Sequence, residues 1–110
     1  MGVDMLNITR ATTAGYADVA PPPDATRVTK WGYIFDPDVL HRFFYGTQRG
    51  ERVSVEINGF QNRDGSVRGR WIHVDGRVLD RQELDGAAAR ELALALIAAA
   101  DELDGLEAQR

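Results

Sequence analysis

Between Arg52 and Asp75, two runs of alternating apolar and polar residues meet at Asn62-Arg63-Asp64-Gly65. Val53, Val55 and Ile57 alternate with Ser54, Glu56 and Asn58, the period-two pattern of a half-buried strand. The Asp-Gly pair accepts the backbone angles of a tight hairpin, so Arg52–Gln61 and Ser66–Asp75 are expected to pair. No other feature limits the fold more. A hairpin with one aliphatic side is stable only against a second layer.

The chain supplies that layer next. From Asp85 to about Asp104, Ala88, Leu92, Ala95, Leu96, Ala99, Leu103 and Leu106 fall on one helical stripe, with Ala89 and Ala100 at its edge. Asp85 suits an N-cap and Gly105 a C-cap. Upstream, Arg27–Phe35 is rich in β-formers and ends at Asp36-Pro37-Asp38, which reads as a turn or as the cap and first residue of a short helix. Leu40–Thr47 is a further strand, closed by a two-residue turn at Arg49-Gly50. Val78-Leu79 is a short extended piece.

Residues 1–25 hold Pro21-Pro22-Pro23 and no clear period, the mark of an extended or partly disordered arm. Met5, Leu6, Ile8, Tyr16 and Val19 are apolar enough to dock it on the body or on another subunit. The expected fold class is α+β: a three- or four-stranded antiparallel meander with one C-terminal helix packed on one face, preceded by the arm. The expected organisation is the arm over 1–25, a single domain over 26–106 and a tail over 107–110.

Composition bounds the function classes. One hundred and ten residues suit one small domain, and the absence of cysteine excludes disulfides and thiolate metal or redox sites. No apolar run reaches the about 18 residues of a membrane span, and MGVDMLNITR lacks the layout of a secretion signal. The expected location is the cytoplasm, that of the host if the protein is phage-encoded. The net charge of -4 is uneven: residues 1–38 sum to -2, residues 39–73 to +3 and residues 74–110 to -5. The basic middle keeps an anionic partner open despite the acidic total.

Face assignment follows from the turns. A two-residue loop at Asp64-Gly65 sets Ile57 opposite Ile72 and Val55 opposite Val74, and a four-residue loop keeps the same parity. Val53, Val55, Ile57, Ile72 and Val74, joined by Phe44, then lie under the helix. The other face collects His41, Phe43, Tyr45, Glu56, Phe60, Trp71 and His73, with Glu56 opposite His73, Asn58 opposite Trp71 and Phe60 opposite Gly69. Parity sends Arg42, Arg68 and Arg70 to the aliphatic side, away from these aromatics.

An aromatic face that the helix does not cover needs another cover or is a binding surface. The cover would be the arm or the strand with Trp31, Tyr33 and Phe35; the alternatives are a second subunit or a platform for a ligand or single-stranded nucleic acid. On the helix, Leu94 and Ile97 fall on the arc with Arg90, Asp101 and Asp104, away from the core stripe, and are a second candidate contact. No catalytic constellation is present. His41, His73 and Glu56 are a ligand set in kind but match no compact metal motif, and a Glu56–His73 hydrogen bond is the expected meaning of that pair. No cofactor is expected.

The stretch G-F-Q-N-R-D-G-S-V-R-G-R-W-I-H-V-D-G, followed by L-D-G-A-A-A-R-E-L-A-L-A-L-I-A-A-A-D-E-L-D, resembles short uncharacterised proteins of actinobacteria and their phages, over about residues 53–106. Gly86 and Ala88 depart from that pattern, where proline and an acidic residue are frequent; both touch helix initiation. The resemblance implies an accessory protein and supplies no catalytic residue. The order of strands and helix is also similar to the repeat of the Pur-alpha and whirly single-strand binders, with no motif residue in common. The expected function is therefore non-enzymatic binding of another protein or of a second copy, as in a homodimer. The alternative is single-stranded nucleic-acid binding through the aromatic face.

Overall fold

The structure, a computed structural model, describes residues 19–76 and 83–110. Met5, Leu6, Ile8 and Tyr16 of the arm and the Val78-Leu79 piece lie outside the described residues. The elements are β1 (Arg27–Val28), β2 (Gly32–Asp36), β3 (Val39–Arg49), β4 (Ser54–Asn62), β5 (Val67–Asp75) and α1 (Gly86–Ala108). The strands form one five-stranded antiparallel sheet in the order β1-β3-β4-β5, with β2 also paired to β3. The α+β class is as expected, with one helix on the sheet. The chain divides into two compact units, one holding Gly59–Arg70 with the chain up to Gly46, the other Thr47–Asn58 with Trp71–Arg110.

In the second unit, α1 packs on the aliphatic side of β4 and β5. Val55, Ile57, Ala95 and Ala99 form the buried centre, and Ile72, Val74, Leu92, Leu96, Leu103 and Leu106 pack around it. These are the residues that alternation and helical period select, because neither element can remove its apolar side from water alone. Asp85 is the N-cap: its carboxylate accepts from Ala88 N at 2.8 Å. Gly105 does not end the helix, which runs to Ala108 with Gln109 as C-cap and takes in part of the expected tail. The reason is Leu106, which must stay helical to reach the core.

Polar contacts tie α1 to the strand ends. Glu102 accepts from Thr47 Oγ1 at 2.8 Å and from Arg49 Nη2 at 2.6 Å. The connection from β3 to β4 takes the four residues Gly50–Val53, not the expected two-residue turn. Glu91 explains the longer path, since its Oε2 accepts from the N–H groups of Glu51 and Arg52. Gly50 sits at φ +92°. Four differs from two by an even number, so the facing of side chains on β3 survives the change.

In the first unit, β2 and β3 form a hairpin in which Asp36 Oδ1 accepts from Asp38 N at 2.8 Å. This is the turn reading of Asp36-Pro37-Asp38, and no short helix forms. Gly32 faces His41 and Asp36 faces Val39, with a register shift between them. Thr29, between β1 and β2 in the chain, is tied to β3: its N–H donates to Phe43 O, and its Oγ1 accepts from Phe43 N.

The β4–β5 hairpin corrects the register. Asn62 N donates to Ser66 O and Gly65 N donates to Asn62 O, which makes a three-residue loop with Gly65 at φ +95°. Asp64 Oδ1, accepting from both Ser66 N and Ser66 Oγ, builds the loop. An odd loop moves every facing by one residue near the turn. Gly59, not Phe60, lies against Gly69: a Cβ on Gly59 would sit 2.5 Å from both Gly69 O and Phe44 Cζ. Further along, Ile72 and Val74 share the core with Val55 and Ile57, so β5 takes up one residue in between, as a β-bulge does.

Candidate functional site

The first unit carries two contrasting sides of β3 and β4. On one side Phe44 and Gln61 are fully buried, and Arg42 is nearly so. Arg42 Nε donates to Gln61 Oε1 at 2.7 Å, and its Nη2 to Val19 O at 3.1 Å; its guanidinium lies 4.5 Å from the Trp31 ring. Gln61 Nε2 donates to Ala20 O at 2.7 Å. Arg70 holds Asp24. The described end of the arm is thus docked, with Pro22 buried, over the side that carries Phe44 and not over the aromatic side. Burial pushes the Arg42 pKa below its ordinary value.

On the other side, rings run in an unbroken edge-to-face chain. Tyr45 meets Phe43 at 4.6 Å between centroids, Phe43 meets Phe60 at 5.5 Å, and Phe60 meets Phe35 at 4.7 Å. Phe35 meets His41 at 5.1 Å. Such edge-to-face contacts are a favoured geometry for aromatic quadrupoles. Two arginines flank the chain, with the Arg27 guanidinium 3.3 Å from the Tyr45 ring centroid and that of Arg68 4.2 Å from Phe35. Here parity misplaces Arg68: the three-residue loop brings it to the aromatic side, whereas Arg42 and Arg70 lie on the other side as expected.

His41, Phe43, Tyr45 and Phe60 therefore come together in the first unit. His41 is 1% exposed, beneath Phe35 and Arg68, and acts as a support rather than as surface. Its Nε2 lies 3.4 Å from Arg68 Nη1, while its buried Nδ1 has no hydrogen-bond partner among the described residues. Phe35 is half exposed at 48%, and Tyr33, Ile34 and Val39 beside it are exposed too. The strand with Tyr33 and Phe35 covers the aromatic face only in part.

Glu56, Trp71 and His73 belong to the second unit. Glu56 and Trp71 are half-buried and His73 is exposed. The expected Glu56–His73 hydrogen bond does not form. The Asn58 amide, turned to satisfy its neighbours, donates instead to Glu56 Oε1 and Ile57 O. Among the described residues no group of three His, Asp or Glu side chains is placed to hold a metal ion. Leu94 and Ile97 are 69% and 61% exposed, as their arc on the helix requires. Glu91, in the same unit, has its pKa lowered, first by the Glu51 and Arg52 N–H groups and then by the Arg52 side chain.

Sequence reasoning did not single out Asp24, Arg27 or Gln61, and it placed Arg42 and Arg70 on the aliphatic side without naming their partners. One signal was available: a charged residue assigned by parity to an aliphatic side, as Arg42 is, requires buried polar partners. Those partners are the Gln61 side chain and the Val19 carbonyl of the arm, which no local pattern places. Among the described residues no helix is long and apolar enough to cross a membrane. Comparison with protein-family models, curated proteins and solved structures finds no match to this chain.

Proposed function

We propose that this chain is a small non-enzymatic interaction protein that docks a protein partner on the aromatic strip of its first unit. The accessory role implied by the resemblance to short actinobacterial and phage proteins fits this reading. It rests on one observation: Phe35, Phe43, Tyr45 and Phe60 form a continuous, partly exposed chain of rings. Aromatic and arginine side chains at the centre of an apolar patch are the usual anchors of protein interfaces.

Single-stranded nucleic acid is the second reading, favoured by the flanking Arg27 and Arg68. It is the weaker of the two because those guanidinium groups already cover the Tyr45 and Phe35 ring faces on which a base would stack. Two measurements separate the readings. The Phe43→Ala/Phe60→Ala variant, folded as judged by circular dichroism, should lose a partner that the wild type captures from its own cells. Filter binding to single-stranded DNA across a salt series should show no retention at low salt, where phosphate contacts are strongest. Retention there that falls with added salt reverses the order of the two readings.

A further inference from the structure

We infer that α1 pairs with α1 of a second copy, antiparallel, along the stripe Ala87, Arg90, Leu94, Ile97, Asp101 and Asp104. These residues recur at spacings of three and four, and all are exposed. This is the seam by which two helices meet at a shallow angle.

The charges say what covers the stripe. Elsewhere on α1 every carboxylate is engaged: Glu91 by Arg52 and two backbone N–H groups, Glu102 by Arg49 and Thr47, and Glu107 by Arg110. Among the described residues Arg90, Asp101 and Asp104 make no ion pair or side-chain hydrogen bond, although they flank Leu94 and Ile97 on the same stripe. Their order is self-complementary. Leu94 with Ile97, Arg90 with Asp101 and Ala87 with Asp104 share one midpoint, between Ala95 and Leu96. A two-fold axis at that height sets Leu94 against the partner's Ile97 and Arg90 against the partner's Asp101, each contact made twice, as an isologous interface demands.

The helix ends give an independent argument. Asp85 caps the positive end of α1 with its carboxylate, but the last turn holds no basic residue, which leaves the negative end of the macrodipole without a compensating side chain inside the helix. An antiparallel neighbour compensates that end and adds to the Asp85 cap at the other. Its acidic C-terminal half, with Asp101 and Asp104, lies beside the positive N-terminal end, and its Arg90 lies toward the negative C-terminal end. Four aliphatic side chains and the small Ala87 make a modest seam, so the dimer is a reversible one. It shares no residue with the aromatic strip and does not depend on the partner proposed for that strip.

The test uses the full chain in sedimentation equilibrium over a wide concentration range, with thermal unfolding as a control for folding. Wild type should show a monomer–dimer equilibrium. Arg90→Asp alone and Asp101→Arg alone should each weaken it about tenfold, since each turns two attractive pairs into like-charge contacts. The double variant, Arg90→Asp with Asp101→Arg, should restore it, and Leu94→Asp should abolish it. Phe43→Ala/Phe60→Ala should leave it unchanged, which separates failure of this inference from failure of the aromatic-strip reading. A strict monomer at the highest concentration overturns the inference. So does a dimer that the single reversals do not weaken or that the double reversal does not recover.

Discussion

Arg70 clasps Asp24 with two parallel hydrogen bonds, Nη2 to Oδ1 at 2.7 Å and Nε to Oδ2 at 3.1 Å, and both side chains are at least nine-tenths removed from solvent. The pair joins β5 to the end of the proline run, 46 residues earlier in the chain. It is the one charge-pair anchor of the arm among the described residues, and the Arg42–Gln61 network beside it adds hydrogen bonds to the Val19 and Ala20 carbonyls.

Removing one member of that pair leaves the other charge buried without its partner. Asp24→Ala should destabilise the protein by about 3 kcal/mol. Replacing both members by apolar residues, Asp24→Leu with Arg70→Met, should recover much of the loss, because no unpaired charge remains. Urea unfolding of the three variants measures this. Equal stability of the single and double variants would refute the pairing argument.

Gly59 leaves room for the Phe44 ring. A methyl group there meets Phe44 Cζ and Gly69 O at 2.5 Å, and the second of these is backbone, which cannot swing aside. Gly59→Ala should lower stability by roughly 1–3 kcal/mol, as overpacking does. Gly65→Ala should act through strain instead, since nothing lies within 4 Å of a Cβ there and the backbone sits at φ +95°. Gly105→Ala, in open space within α1, should stabilise by about 0.5–1 kcal/mol. Thermal melts of the three variants should fall in that order of sign.

Glu91 makes stability depend on pH. Its folded pKa lies below the ordinary carboxylate value because two backbone N–H groups bond to the ionised form. Its contribution is therefore present above the unfolded carboxylate pKa and fades as pH falls through the lowered folded value. Glu91→Gln should lower the melting temperature at neutral pH, and the gap to wild type should narrow in acid. A gap constant with pH would show that the carboxylate charge plays no part.

Leu94→Asp and Ile97→Asp should each change stability by no more than about 0.5 kcal/mol in the monomer, because both side chains already face water. Chemical denaturation at low protein concentration checks this. A loss of several kcal/mol would place them in a core.

Much of this molecule is legible in local sequence. Alternation over Val53–Ile57, the Leu and Ala period from Ala88 to Leu106, and the Asp85 cap are each set by residues a few positions apart. They identify the helix–sheet core and the exposed pair Leu94 and Ile97 without reference to the rest of the chain. The aromatic side of β3 was readable too, because Phe43 and Tyr45 share a parity that an even change in loop length does not disturb.

The tertiary structure decided what depends on one residue more or less, and on contacts between distant segments. A single loop residue at Arg63-Asp64-Gly65 moved Arg68 onto the aromatic side and set Gly59 against Gly69. The Leu106 contact overrode Gly105 as a helix stop, since burying an apolar side chain outweighs a glycine's preference to end the turn. Asp24, Val19 and Ala20 found Arg70, Arg42 and Gln61 across more than twenty residues of chain. Such partners are chosen by the need of buried polar groups for hydrogen bonds, a requirement that exists only once the sheet has formed.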